Sequence, residues 1–345
     1  MRAVVMDRFG GRLEVRHVAD PTPPDGGVVV AVHATGLCRS DWHAWAGHEA
    51  VTLPHVPGHE LAGVVHAVGA GVERWTPGDR VTVPFVSGCG TCEWCRSGNA
   101  QVCPRQEQPG FTYWGSFAEY VALPAADTNL VAIPDAVSCA AAASLGCRFA
   151  TAYRALTDRA ALSAAEWLTV VGAGGVGLSA VMIGKALGAR VIAVDRSAAA
   201  LEIARSVGAD HVVLADDGDV AARVHEITGR GSDVAMDAVG SEIACTNAIH
   251  ALRRQGRHVQ VGLLPPVDGH PRVPMDRVIA WELDLRGSHG MAAVDYPSML
   301  AMIDRGELRP QDLVSRTIGL EDAAVELPLV DTAPTAGITI ADPRR

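Results

Sequence analysis

Residues 36–60 concentrate an unusual amount of chemistry. Gly36-Leu37-Cys38-Arg39-Ser40-Asp41-Trp42-His43 and, after a hydrophobic connector, Pro57-Gly58-His59-Glu60 supply a thiol, two imidazoles, a hydroxyl and two carboxylates. Thiolate and imidazole are the ligand pair that suits Zn²⁺, and a catalytic zinc uses three protein ligands so that a substrate oxygen can take the fourth position. Cys38 and His59 supply two ligands, so the third must come from elsewhere in the chain. Taken singly, Cys38 reads equally well as a small buried apolar residue and His59 as a hydrogen-bonded core histidine. Their company points to a metal.

A second cluster has its own spacing. Cys89, Cys92, Cys95 and Cys103 form C-x₂-C-x₂-C-x₇-C. Four thiolates in one short loop satisfy a closed tetrahedral zinc, which folds a segment that has little core of its own. A ferredoxin-type iron–sulfur run shares the first two gaps but closes with a gap of three residues, against seven here. The spacing therefore predicts a structural zinc.

The third chemical signal is glycine-rich. Leu168-Thr169-Val170-Val171 reads as a buried strand, Gly172-Ala173-Gly174-Gly175-Val176-Gly177 follows it, and a helical run extends from Leu178 to Leu187. Strand, G-x-G-x-x-G and helix in succession form a dinucleotide fingerprint, in which the backbone approaches a pyrophosphate and the helix N-terminus faces its charge. A second strand, Arg190 to Val194, ends in Asp195, where an acidic side chain accepts hydrogen bonds from the adenosine ribose. Arg196 either stacks on adenine or pairs with a phosphate, or is a solvated surface side chain. NAD is favoured over NADP, because a 2′-phosphate beside Asp195 meets like charge. Residues 111 to 124 are the most aromatic stretch in a chain with 5% aromatic residues; they read either as a strand with a packed face or as a pocket wall.

The elements that must position these groups fall into two textures. In the first third of the chain, short β-branched runs (Ala3–Val5, Val28–Val32, Leu61–Val68, Arg80–Val83) alternate with Gly and Pro clusters, which predicts a β-rich, barrel-like domain. From about Ala140, strands and helices alternate. Ser197 caps a helix to Val207, and Val212–Leu214 is a strand; Val220–Ile227 is helical, Val234–Asp237 a strand, Glu242–Leu252 a helix and His258–Val261 a strand. That alternation predicts a doubly wound parallel sheet. Helices at Pro297–Ile303 and Leu320–Leu327 and a strand at Gly337–Ala341 return to mixed texture. With 345 residues and 48% hydrophobic composition the chain is long enough for two cores. A net charge of −10 without blocks of like charge argues against nucleic acid and anionic membrane as partners. The N-terminus lacks the apolar run of a signal peptide, so a cytoplasmic location is expected. Lys185 is the sole lysine, which disfavours Schiff-base chemistry.

Together these motifs resemble the zinc-dependent alcohol dehydrogenases of the medium-chain dehydrogenase/reductase superfamily, and the resemblance runs over essentially the whole chain. It implies an α/β fold: a GroES-like catalytic domain over 1–147 with a structural zinc lobe at 88–104, a Rossmann NAD-binding domain over 148–287, and a C-terminal return to the catalytic domain over 288–345. Cys147 becomes the third ligand of a catalytic zinc with Cys38 and His59, and Glu60 a carboxylate that approaches the metal when substrate leaves. Asp41 takes the other N–H of His59. Ser40 receives the substrate proton and His43 is the outer member of a relay that passes it through the cofactor ribose to solvent, while Arg39 clamps the pyrophosphate. Thr151, Val261, Ser288 and His289 lie beside the nicotinamide, and Val239 near the adenosine half. Trp42, Phe85, Phe111 and Trp114 are pocket-wall candidates; Glu49 departs from the family pattern. The implied reaction is reversible hydride transfer between NAD and an alcohol, aldehyde or ketone, with two zinc ions per chain in a homo-oligomer, a tetramer or dimer. A polyol or glutathione-adduct dehydrogenase on the same scaffold is the alternative enzyme, and a nucleotide sensor or structural protein the alternative outside enzymes.

Overall fold

The computed structural model describes residues 1–264, 269–332 and 336–345. The chain divides into two compact units. One comprises Met1–Ala150, Gly290–Gly306 and Pro310–Arg345; the other Thr151–His289 and Glu307–Arg309.

The first unit is β-rich. Strands β1 (Arg2–Val5) and β2 (Glu14–His17) pair antiparallel. A seven-stranded sheet contains β3 (Val28–Gly36), β4 (Leu61–Val68), β5 (Arg80–Thr82), β6 (Tyr120–Leu123) and β7 (Val131–Ala132). The valine-rich β3 is buried along nearly its whole length, pairing with β4 on one side and β6 on the other. β-Branched residues fit such a surface because their stiff side chains lose little freedom on packing there. Val28, Val30, Val32, Leu61, Val65, Val81, Val121 and Leu123 close the barrel-like core. Between β3 and β4 the chain makes the helix Arg39–Ala46, which carries Ser40, Asp41 and His43.

The second unit is a six-stranded, all-parallel sheet built from β8 (Trp167–Val171), β9 (Arg190–Asp195), β10 (His211–Leu214), β11 (Ser232–Asp237), β12 (Leu252–Gln260) and β13 (Asp284–Gly287). Its order, β10-β9-β8-β11-β12-β13, is that of a doubly wound Rossmann sheet. Helices alternate with the strands; three of them begin at Ser197, Asp219 and Ser241, each of whose side chains accepts a backbone N–H in the first turn. The chain then rejoins the first unit, where β14 (Val314–Ile318) and β15 (Ile338–Ala341) extend the seven-stranded sheet next to β3.

Three sequence expectations are corrected. The helix after the glycine loop starts at Gly175, inside the loop, and runs to Ala186. The helix from Glu242 stops at His250, and β12 is nine residues long rather than four, because Leu252 already pairs with Ser232 of β11. Its start, Leu-Arg-Arg-Gln-Gly, is too polar to read as a strand alone. Of the aromatic stretch only Tyr120–Leu123 forms a strand; Gly110 and Gly115 turn the part before it into loop packed against Gly58. No helix among the described residues is long and apolar enough to cross a membrane.

Candidate functional site

Cys38 is the N-cap of the helix Arg39–Ala46. Its N–H donates to Asp41 Oδ2 at 3.2 Å, the reciprocal half of a capping box in which the third helical residue reaches back to the cap. The other carboxylate oxygen, Asp41 Oδ1, accepts from Gly58 N–H at 3.0 Å and lies 2.7 Å from His59 Nδ1. One fully buried carboxylate thereby starts the helix at Cys38 and fixes the ring of His59. With Nδ1–H committed to Asp41, Nε2 of His59 is the ring atom left to take a metal; it is buried and has no hydrogen-bond partner.

The third member arrives from far along the chain. Cys147 sits in a single π-helical turn, Leu145–Phe149, a geometry often found at functional sites. The ligand atoms of Cys38, His59 and Cys147 all lie within 4.8 Å of one another. A hydrogen bond from Cys147 holds Cys38 well below the ordinary thiol range, and the same bond, with burial, pushes Cys147 well above it, so the two sulfurs share one proton. Burial opposes an imidazolium at His59, but the charges of Asp41 and Cys38 outweigh it and raise the proton affinity well above the ordinary histidine value. Two sulfurs and an orphaned nitrogen, in surroundings that attract positive charge, fit a Cys₂His zinc with an open fourth position.

Glu60 does not join that cluster. It is fully buried, and Arg148, the residue after Cys147, holds it in a fork: Nε donates to Oε1 at 3.0 Å, Nη2 donates to Oε2, and the Arg148 backbone N–H adds a third bond to Oε1 at 3.0 Å. Arg148 Nη1 also donates to Leu37 O at 3.1 Å, one residue before Cys38. Sequence reading missed Arg148; the signal available was its adjacency to a ligand cysteine.

The remaining predicted groups disperse. Phe85 and Phe111 meet the His59 ring edge-on at centroid distances of 6.3 and 5.4 Å. Trp42 packs against the buried cluster that includes Leu37 and meets His43 and His48 edge-on, and Trp114 lines a separate cleft of about 340 Å³ with Met1, Tyr113 and Tyr120 while its indole N–H donates to Pro54 O. Ser40 is half-buried, as is Glu49. Arg39 is exposed and tied to Asp331 at 2.6 Å, which engages the guanidinium expected on a pyrophosphate. His43 Nδ1 lies 2.9 Å from His48 Nδ1.

Cys89, Cys92, Cys95 and Cys103 also converge. Their sulfurs lie 3.5 Å (Cys92–Cys95), 3.7 Å (Cys92–Cys103) and 4.0 Å (Cys89–Cys95) apart. Backbone N–H groups of Cys95 and Arg105 point at Cys92 and Cys103 Sγ, and the Arg105 guanidinium reaches Cys89 Sγ at 3.2 Å. Thr91, through its side chain and then its backbone, holds Cys89 down to about 5, while burial raises Cys95 to about 12. This donor set fits a closed metal site whose negative charge Arg105 offsets.

In the second unit the glycine loop follows β8. A side chain on Gly177 would sit 1.7 Å from Gly172 O, so the helix can start this close to the strand only with glycine there. At the Gly174 N-cap, by contrast, a Cβ meets nothing within 4 Å, which leaves the first N–H groups of the helix Gly175–Ala186 open to a ligand. Asp195, at the end of β9, accepts Ala173 N–H at 2.6 Å and Ser197 N–H at 2.8 Å; a carboxylate has about four acceptor positions, so others remain for a ribose. Arg196 is exposed. The neighbouring strand ends carry Val239, Val261 and Ser288. Thr151 Oγ1 and Ser288 Oγ are buried without hydrogen-bond partners, and His289 is half-buried. A group also missed in the sequence is Asp237, whose carboxylate accepts Val239 N–H at 2.8 Å, Gly240 N–H at 3.0 Å and Gln260 Nε2–H at 2.7 Å. The open helix start, the acid at the second strand and the orphaned hydroxyls fit a dinucleotide.

Comparison with known proteins agrees with this geometry. Residues 24–135 match the family model described as alcohol dehydrogenase GroES-like domain, and residues 175–305 the model described as zinc-binding dehydrogenase. The chain is 40% identical over 268 residues to an alcohol dehydrogenase of Geobacillus stearothermophilus, covering 77% of this chain and 78% of that one. It is 33% identical to a protein of Sulfurisphaera tokodaii named NAD-dependent alcohol dehydrogenase, over 94% of each. The crystal structure of an alcohol dehydrogenase from Thermus sp. ATN1 superposes with a TM-score of 0.91 at 32% identity, over 99% of both chains.

Proposed function

The chain belongs to the zinc-binding alcohol dehydrogenases of the medium-chain dehydrogenase/reductase superfamily, and we propose on that basis that it interconverts small-to-medium alcohols and their aldehydes or ketones, with NAD as hydride partner and zinc at Cys38, His59 and Cys147. The supporting observation is the buried triad itself: three soft or borderline donors, one an imidazole whose other nitrogen is fixed by Asp41 and whose Nε2 has no protein partner. When bound, zinc supplies Lewis-acid polarisation of the substrate oxygen and NAD accepts the hydride.

The chain's own residues do the rest. Asp41 keeps His59 in the tautomer that presents Nε2, and Phe85 and Phe111 wall the ring with apolar surface. Arg148 holds Glu60 as an ion pair, so this carboxylate does not compete for the open position in the resting enzyme. Ser40 accepts the alcohol proton, and His43, one turn along the same helix, carries it outward. Gly172, Gly174, Gly175, Val176 and Gly177 seat the pyrophosphate and Asp195 the adenosine ribose. Thr151, Val261, Ser288 and His289 bracket the nicotinamide, with Val239 nearer the adenosine. Cys89, Cys92, Cys95 and Cys103 hold a second, structural zinc. The protein is a homo-oligomer, a tetramer or dimer; a monomer by light scattering at micromolar concentration would count against this.

The deciding test is NADH formation from NAD with a panel of primary, secondary, benzylic and cyclic alcohols and a polyol, paired with metal analysis. Turnover lost on chelation and restored by zinc supports the proposal. Binding of NAD with no turnover of any alcohol or carbonyl would mark the chain as a nucleotide-binding protein that has lost its chemistry.

A further inference from the structure

The helix Arg39–Ala46 ends in Gly47, whose left-handed conformation (φ 83°) turns the chain back on itself. Gly47 N–H donates to Ala44 O and His48 N–H to His43 O, the paired bonds of a helix C-terminal reversal. That reversal folds His48 over His43, and the two Nδ1 atoms come to 2.9 Å, so one proton lies between the rings. Trp42 buttresses both imidazoles edge-on, at centroid distances of 5.0 and 5.3 Å. Exposure rises in order along this path: Cys38 and His59 are buried, Ser40 and His43 half-buried, His48 exposed.

We propose that His48 is the outer member of the proton relay, taking from His43 the proton released in alcohol oxidation and passing it from Nε2 to water. The proposal rests on the reading of His43 as a relay residue. The balance is simple. The alcohol loses a hydride to NAD and a proton to Ser40; Ser40 passes its proton through the cofactor ribose hydroxyls to His43 Nε2, His43 Nδ1 gives one to His48 Nδ1, and His48 releases one to solvent. Each residue ends as it began after ring reorientation, and the net products are carbonyl, NADH and one proton.

The surrounding charges favour outward transfer. Burial disfavours a charged His43 first of all, followed by Arg39 on the same helix and by His48; Asp331 and Cys38 oppose this but do not reverse it. A proton arriving at His43 thus meets burial and like charge, while the ring beside it, His48, is open to water.

The experiment uses the zinc-loaded enzyme, NAD and the fastest alcohol of the panel in weakly buffered solution, with a pH indicator in a stopped-flow instrument. His48→Asn keeps an amide near the Nδ1 position, so a merely structural hydrogen bond survives, but it cannot carry a proton. His48→Asn should slow proton release roughly tenfold, HEPES added as an external base should restore it, and His43→Asn should be at least as slow with the double variant no slower. Wild-type proton release in His48→Asn alongside a slow His43→Asn would overturn the role of His48 while leaving the inner relay intact. A slow His48→Asn that added base does not rescue would make the contact structural and also overturn it. Wild-type behaviour of His43→Asn would instead remove the relay on which the proposal stands.

Discussion

Replacing Arg148 by Met isolates the buried ion pair beside the metal triad. Arg148 is 7% exposed and Glu60 0%, so solvent screening gives no relief. The substitution removes three side-chain hydrogen bonds, two to Glu60 and one to Leu37 O, and leaves a carboxylate in the interior with only one backbone N–H. Breaking a buried pair from one side costs about 3–5 kcal/mol, mostly the penalty of the stranded charge. Burial already raises the proton affinity of Glu60, with Arg148 the chief opposing influence, so loss of the guanidinium leaves nothing comparable to hold the anion. Gly36 marks how tightly the pair is housed: a Cβ there would lie 2.3 Å from Glu60 Oε2 and 2.5 Å from Arg148 Nη2. Equilibrium urea unfolding of the zinc-loaded protein should show Arg148→Met less stable by about 3–5 kcal/mol, and Arg148→Met with Glu60→Gln should recover most of it, to within about 1–2 kcal/mol of wild type. A single variant within about 1 kcal/mol of wild type, or a double variant no better than the single, would refute the view that an unpaired Glu60 is the cost.

Three further outcomes follow from the same geometry. Cys95→Ser should reduce zinc from two ions per chain to one and lower the thermal midpoint while NAD still binds, whereas Cys38→Ser should abolish turnover and leave the midpoint nearly unchanged; iron, or a single ion in wild type, in metal analysis would contradict this. Asp195 and a 2′-phosphate about 5 Å apart repel by about 3 kcal/mol per unit charge at an effective dielectric of about 20, so wild type should favour NAD by roughly a hundredfold in kcat/KM and Asp195→Gly should erode that preference; equal use of NADP by wild type would mean that Asp195 does not face the ribose. Burial alone would raise the pKa of Asp233, but hydrogen bonds from Arg253 and Trp167 N–H and the charge of Arg230 hold it below the usual carboxylate value. The unfolded state then binds the extra proton, so this stability is present above about pH 4 and lost as pH falls through the lower folded value. Asp233→Asn should therefore be less stable at pH 7 and show a shallower acid limb in urea unfolding below pH 4; an unchanged acid limb would show that Asp233 is not linked to acid unfolding.

What the sequence determined by itself was whatever lies close along the chain or has a strict period. The four cysteines of the lobe span fifteen residues, and their spacing alone predicted a cluster of four sulfurs, which converge in the fold. The glycine loop and Asp195 were legible because strand, turn and helix are adjacent in sequence and glycine is obligatory where Gly177 meets Gly172 O. The alternation of β-branched runs with helical stretches likewise fixed the parallel sheet, since each strand's burial is written in its own composition.

Tertiary structure decided everything that depends on convergence. Cys147 stands over a hundred residues from Cys38, and no local pattern marks it; a π-helical turn and the core of the first unit bring it to the other two ligands. The same holds for Asp41, whose single carboxylate gathers N–H groups from Cys38, Gly58 and His59, and for Arg148, which reached Glu60 rather than solvent. Trp114 shows the limit from the other side: an aromatic residue near a motif in sequence turned to a separate cleft, because a side chain's direction is set by the backbone beneath it. The strand β12 is longer than its polar start suggested because Leu252 already pairs with Ser232 of β11, while β13 joins only at Arg257–Gln260. Local chemistry is carried by spacing, but the partner of a buried charge is chosen by whichever distant group folding places beside it, and that choice is a property of the packed chain.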